Sequence, residues 1–200
     1  NNSTGRPWTG ASNRNIMLEA FQWGQVQVDY DKLREYKRAD GTPRSWNRNS
    51  WENTTAGRAT KYIDNPYWSA EESYLEENRD RFYGNIGLAY DVNNWLQLSS
   101  KVNADIYNYQ YQDRIAVFSR SQSSYTEYAN TFNEFNYEFL ATANKRWNTL
   151  SLTAYAGGNI MKQQRRISNA ATQGGLIIPL YYNLKNATSV LNESNFYHKS

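Results

Sequence analysis

The chain has 200 residues with 39% apolar and 16% aromatic side chains, a mean hydropathy of −0.90, a net charge of +3 and no cysteine. Its 17 Tyr and 7 Trp argue against disorder, which is poor in aromatics, and no apolar run reaches the roughly 18 residues of a transmembrane helix. The weak, mixed charge points to neither nucleic acid nor an anionic surface, and without Cys there is no disulfide, thiolate metal site or cysteine nucleophile.

In chain order, Asn1-Asn2-Ser3-Thr4 carries no initiator Met, charged n-region or apolar h-region. The chain stops at Tyr197-His198-Lys199-Ser200 with no closing element, so the expectation is an internal fragment. Within 1–79, the middle of NRNIMLEAFQWG (13–24) reads as a strand or a short helix. DYDKLREYK (29–37) reads as two helical turns, with Asp29 as cap and Leu33 and Tyr36 on one face. Residues 39–79 hold two prolines, scattered Trp and the carboxylates Glu71, Glu72, Glu76 and Glu77, without sustained periodicity. They are expected to be a long, mostly irregular connection.

From Asp80 the pattern changes to strict alternation, which places successive side chains on opposite faces of a strand. Phe82, Gly84, Ile86, Leu88 and Tyr90 share one face of 81–91, with Arg81, Tyr83, Asn85 and Asp91 on the other. A turn is expected at Asp91-Val92-Asn93-Asn94. Then 96–107 puts Leu96, Leu98, Ser100, Val102, Ala104 and Ile106 opposite Gln97, Ser99, Lys101, Asn103, Asp105 and Tyr107. A polar aromatic stretch, 108–133, is expected as a connection. The hairpin unit then returns, as 134–144 (Phe135, Tyr137, Phe139, Ala141, Ala143 on one face) and 150–161 (Leu150, Leu152, Ala154, Ala156, Gly158, Ile160), with a polar link from Lys145 to Thr149. Across the four strands the apolar faces hold 22 positions and no charge. The opposite faces hold 24 positions and six charges, Arg81, Asp91, Lys101, Asp105, Glu134 and Glu138. Proline is absent from 80 to 163, as laddered strands require. Residues 164–200 return to loop character, with an apolar run at 174–184 that is expected to be packed.

Two architectures fit this pattern. In a soluble β-sandwich binding module the charge-free faces form a core, and loop aromatics bind the ligand. In an outer-membrane β-barrel those faces meet lipid, and the polar faces line a lumen. The barrel is favoured by apolar stretches of about 9–11 residues, the length that a tilted strand needs. Short turns alternating with long connections favour it too, as do aromatics placed toward strand ends. The fold class expected is therefore all-β: a fragment of a large antiparallel transmembrane barrel, two long hairpins (80–163) between extracellular loop regions (1–79 and 164–200). A passive diffusion porin would share the strand pattern.

The run NRDRFYGNIGLAYDVNNWLQLSSKVNADIY, preceded by NPYW (65–68), resembles the SusC/RagA-type TonB-linked outer-membrane transporters. EFNYEFLATANKRWNTLSLTAYAGGNIMKQQ (134–164) resembles that family's next hairpin. ATQGGLIIPLYYNLKNA (171–187) resembles its following extracellular stretch, and 13–24 its preceding one. The resemblance covers nearly the whole chain in order and spacing. It implies a barrel enclosing a plug, energised by the TonB complex, lidded by a SusD-like surface lipoprotein, and importing oligosaccharides or peptides through the outer membrane of a Gram-negative bacterium. The plug, its TonB-contacting segment, the signal peptide and the final barrel strand are absent from this sequence. The resemblance therefore assigns it to the middle of the barrel wall and the loops.

On this reading Phe82, Ile86, Leu88, Tyr90, Leu96, Leu98, Val102, Ile106, Phe135, Tyr137, Phe139, Leu150, Leu152 and Ile160 face lipid. Arg81, Asn85, Lys101, Asn103, Asp105, Glu134, Glu138, Thr153 and Asn159 face the lumen. Asp105, Glu134 and Glu138 are expected to pair with lumen cations such as Arg81 and Lys101 or with the plug rather than to form a carboxylate site. Trp46, Trp51, Tyr67, Trp68, Tyr125 and Tyr128 are candidate loop contacts to ligand; alternatively they pack the loops together. The glutamate cluster at 71–77 lacks the Asp/Asn/Gly spacing of a calcium loop, so a solvated charge run is expected. His198 has no partner in the sequence pattern. No Ser/His/Asp arrangement, phosphate loop or metal-ligand spacing appears, so no enzyme, cofactor or metal is expected.

Overall fold

A computed structural model of the protein describes residues 21–200 and the backbone of Asn2 and Ser3; residues 13–20, expected as strand or helix, lie outside them. The fold is mostly antiparallel β-sheet with few helices. Six strands pair in sequence order: β1 (Asn2–Ser3), β2 (Leu75–Asn93), β3 (Leu96–Ile115), β4 (Ser124–Trp147), β5 (Leu150–Leu176) and β6 (Ala187–Lys199). β1 is antiparallel to β2, with Asn2 opposite Glu76 and Ser3 opposite Leu75. Among the described residues the sheet is not closed, which is compatible with a piece of a large barrel.

Each of the four expected strands lies inside an observed one. The strands, however, run much further, to 24 residues in β4 and 27 in β5, or about 80–90 Å at roughly 3.3 Å per residue. Much of the connection expected at 108–133 is strand, and only 116–123 links β3 to β4. The loop region expected at 164–200 contains the end of β5 and all of β6. These extensions have no apolar face to announce them. They are held by the main-chain ladder and by cross-strand rings that suit a pleated surface, such as Tyr111 stacked on Tyr128 at 4.8 Å.

The turns inside the hairpins are tighter than expected. β2 passes to β3 through Asn94–Trp95, three residues beyond the start of the expected turn, and β4 passes to β5 through Asn148–Thr149. The Asn93 side-chain oxygen accepts from the backbone N–H groups of Trp95 (3.0 Å) and Leu96 (2.9 Å), an Asx closure of the first turn. Asn148 takes a left-handed φ of 46°, which Asn tolerates and two-residue hairpin loops demand.

Two compact units share the strands. One comprises 79–109, 129–167 and 195–200. It is sheet alone, and among its described residues no apolar side chain is buried. The other comprises 1–78, 110–128 and 168–194, and it contains an ordinary core of Leu33, Ile63, Trp68, Leu75, Ala116, Tyr125 and Leu176.

Local sequence explains the second unit. Asn65 precedes Pro66, the first residue of the helix Pro66–Glu71, and caps it by accepting from Tyr67 N–H at 2.9 Å. Its amide, fully buried, also donates to the Leu33 (2.9 Å) and Arg44 (2.8 Å) carbonyls. Two helical turns were expected over 29–37, but only the 3-10 turn Lys32–Arg34 forms. Asp31 rather than Asp29 holds its cap position and makes no side-chain cap bond, while Asp29 braces the approach by accepting from the N–H groups of Asp31 (3.1 Å) and Lys32 (3.4 Å). Residues 39–74 are mostly irregular apart from the helices Thr55–Arg58 and Pro66–Glu71, and 75–79, expected as part of that connection, already belong to β2. At the end of β5, Gly174 and Gly175 turn the chain with φ of 75° and 98°, which glycine alone adopts without strain.

Candidate functional site

Three surfaces carry the residues singled out by sequence. On the sheet unit, Phe82, Ile86, Leu88 and Tyr90 are exposed, Ile86 by 70% and Leu88 by 77%. Tyr137, Phe139, Leu150, Leu152 and Ile160 are exposed as well. Leu96, Leu98, Val102, Ile106 and Phe135 are half-buried among their strand neighbours. A face this apolar, left open, is far larger than the scattered exposed apolar residues of a water-soluble surface.

The aromatics expected toward strand ends frame this face, together with two tryptophans and two lysines that sequence reasoning missed. At the tight-turn end stand Trp95 and Trp147, and the Lys145 ammonium lies 5.8 Å from the Trp95 ring. At the other end stand Phe82, Phe135 and Tyr137, and the Lys162 ammonium lies 5.9 Å from the Tyr137 ring. Both lysines have the parity of the apolar face, just past its last apolar residues. The 82–92 stretch covers about 33 Å of strand, or about 25 Å of height at the roughly 40° tilt usual in membrane barrels. The signal was present in the sequence as Trp95 and Trp147 beside the tight turns and Lys145 and Lys162 just past the apolar positions of the third and fourth strands.

The opposite face is polar and cross-linked. Arg81 forms a bidentate pair with Asp105 through Nε–Oδ1 (2.8 Å) and Nη2–Oδ2 (2.7 Å), as expected. Glu138 accepts instead from the Asn103 amide at 3.0 Å, and the Thr153 hydroxyl donates to Asn144 at 2.8 Å. Glu134 and Lys101 form no ion pair with another described residue. Asn85 and Asn159 are exposed on the same side. Residues from four strands thus share one polar surface, but no three carboxylate or imidazole groups converge to hold a metal among the described residues.

The loop aromatics divide into two sets. Trp68 is 1% exposed and its indole N–H donates to Ser119 Oγ at 2.9 Å. Tyr125 is 4% exposed. Neither offers a surface to ligand, which corrects their place among the candidate contacts: both belong to the core. Burial, followed by its hydrogen bond to Glu127, pushes the Tyr125 phenol up to about 12. Burial also raises Tyr182, whose hydroxyl donates to the Glu72 carbonyl. Tyr128 is half-buried against Tyr111, Trp46 packs near Tyr30 at 6.4 Å, and the Arg34 guanidinium covers Tyr67 at 5.7 Å. Trp51 is 90% exposed. An exposed stack absent from the sequence reading, Trp23 on Tyr62, has ring centroids 5.0 Å apart and planes within 5°.

The glutamate run at 71–77 is not a uniformly solvated face. Glu72 is mostly buried and takes the Lys37 ammonium at 2.9 Å and the Tyr36 hydroxyl at 3.3 Å, and Glu76 takes Arg114 at 2.9 Å. The Arg114 guanidinium lies 4.7 Å from the Tyr74 ring. His198 lies on β6 and is exposed.

No family model matches the chain, and no curated protein matches it.

Proposed function

We propose that this chain is a wall-and-loop segment of a SusC-like, TonB-dependent outer-membrane transporter that imports bulky nutrients such as oligosaccharides or peptides. One observation carries the reading: a charge-free apolar sheet face, about 25 Å tall by strand geometry, left uncovered and framed at both ends by aromatic rings with a lysine. Lipid is the solvent that makes such a face stable, and rings with lysine ammoniums are suited to the two interfaces where lipid meets water. Further support comes from the polar face opposite, and from two-residue turns on one side against links of eight and ten residues on the other. In this reading the polar face meets the lumen and plug, and the loops meet a SusD-like lipoprotein or the substrate. The TonB complex acts through the plug of such a transporter. The role is transport rather than catalysis, in the outer membrane of a Gram-negative cell.

The test is secondary structure and solubility with and without detergent or lipid. The reading requires a β-rich chain that is dispersed only when detergent or lipid is present. A monodisperse monomer that melts cooperatively in plain buffer would overturn it.

A further inference from the structure

The loop-bearing unit contains a cavity of about 140 Å³ lined by Thr42, Pro43, Thr55, Arg58, Ala59, Phe118 and Ser119. Its wall combines three kinds of chemistry. Arg58 brings a guanidinium, which presents a planar fork that matches a carboxylate. Thr42, Thr55 and Ser119 bring hydroxyl side chains that exchange hydrogen bonds with other hydroxyls. Phe118 brings an aromatic ring that stays 43% exposed.

The charge balance around this cavity is uneven. Arg38, Arg44, Arg48 and Arg58 are neighbours, and the last three together with burial disfavour the charged form of Arg38. Glu35 takes Arg44 at 2.7 Å and Asp40 takes Arg58 at 3.3 Å. Arg38 and Arg48 rest only on neutral oxygens, Arg38 on the Pro43 carbonyl and Thr42 hydroxyl and Arg48 on the Glu52 carbonyl. Four cations thus share two carboxylates. Asp40 divides its carboxylate, with Oδ1 held by the Thr42 N–H (3.0 Å) and hydroxyl (2.6 Å) and Oδ2 left to Arg58. The Nε atoms of Arg48 and Arg58 are buried without a hydrogen-bond partner, a cost that proteins seldom leave uncompensated.

Phe118 adds an independent sign. Its φ of 74° lies in the left-handed region that bulky residues rarely enter, and such backbone gathers at ligand clamps. Here the unfavoured conformation brings a ring to the cavity wall.

We propose that this cavity binds an acidic sugar residue, with Arg58 taking the carboxylate, the hydroxyl side chains taking ring hydroxyls, and Phe118 stacking on a ring face. A single pyranose ring matches the size, and the surplus of arginines over carboxylates around the cavity, with Arg58 Nε still unpartnered, selects the charged sugar over a neutral one. The inference concerns the loop-bearing unit alone and holds whether or not the sheet lies in lipid.

Binding to the full chain, held in whichever medium keeps it dispersed, can be followed by calorimetry with a galacturonic acid trisaccharide. The same titration is run with its reduced, uncharged counterpart, with a triglutamate peptide, and with acetate. The acidic trisaccharide should bind roughly ten- to a hundredfold more tightly than the neutral one, the range of one charge-assisted hydrogen-bonded contact. Arg58→Gln should remove that preference, and Phe118→Ala should weaken both sugars together. Equal binding of acidic and neutral sugars would overturn the proposal. So would triglutamate or acetate binding as well as the acidic sugar, which would reduce the cavity to a general anion site. If Arg58→Gln fails to fold, the wild-type comparison among the four probes still decides.

Discussion

The two units of this molecule are built from the same strands and obey opposite rules. In the loop-bearing unit Trp68, Asn65 and Leu33 are buried and every Asn65 amide bond is satisfied, as in any protein that folds in water. In the sheet unit no described apolar side chain is buried, and Leu88 is 77% exposed. The difference teaches that burial inside the chain cannot be what stabilises the sheet unit. On the proposed reading its apolar atoms find their favourable surroundings outside the chain, and the main-chain ladder supplies the order.

Breaking the packed unit should have the largest effect. Trp68→Ala removes a large buried ring and the donor to Ser119, at a cost of about 3–5 kcal/mol. Hydrogen exchange should show the loss among 29–78 and 110–128, while the amides of 82–106 keep their protection. Equal loss in both units would mean that they do not differ as claimed. Asn65→Ala comes next, because it strands the Leu33 and Arg44 carbonyls and uncaps the helix Pro66–Glu71; about 2–4 kcal/mol is expected by denaturant unfolding.

The sheet unit is sharpened by a charge. Leu88→Arg, near the middle of the apolar band, should cost about 2–4 kcal/mol for folding into a bilayer. Gly87→Arg, one residue away on the polar face, should cost much less. A soluble sheet with both faces in water would treat the two alike.

A smaller effect is expected from pH. The Tyr125 phenol is raised to about 12 in the folded state, from an ordinary value of 10.0, so the folded state holds its proton more tightly than the unfolded one does. Its contribution is complete below pH 10 and is lost as pH rises toward 12, and Tyr182 shifts in the same direction. The loop-bearing unit should therefore lose near-ultraviolet dichroism between pH 10 and 12, in step with late phenolate absorbance. Tyr125→Phe should remove part of that pH dependence, and an unchanged profile in that variant would contradict the assignment.

The sheet was legible where its two faces differ. Around Ile86, Leu98, Phe139 and Leu152 a charge-free face alternates with a polar one, and period two leaves one reading. It was illegible from 108 to 133 and from 162 to 176, where Tyr, Gln, Asn and Ser occupy both faces and nothing contrasts. β6 was hidden for a related reason: its apolar side chains fall in adjacent pairs, Val190-Leu191 and Phe196-Tyr197, which put one on each face and leave no contrast. Among the loop aromatics, Trp68 and Trp51 look alike in sequence, yet one is buried and one exposed. The Asn-Pro pair before Trp68 is a helix-start signal that would have separated them. The arginines near the cavity, at 38, 44, 48 and 58, have no regular spacing, because folding of an irregular segment brings them together.

The central claim is that residues one apart on β2 face different solvents. The chain has no native cysteine, so a nitroxide can be placed singly at each of positions 85–90 and studied in bilayers. Collision with oxygen, which concentrates in lipid, should peak at 86, 88 and 90, and collision with a water-soluble nickel chelate should peak at 85, 87 and 89. Six positions with the same ratio of the two, or an alternation of the opposite phase, would contradict the account.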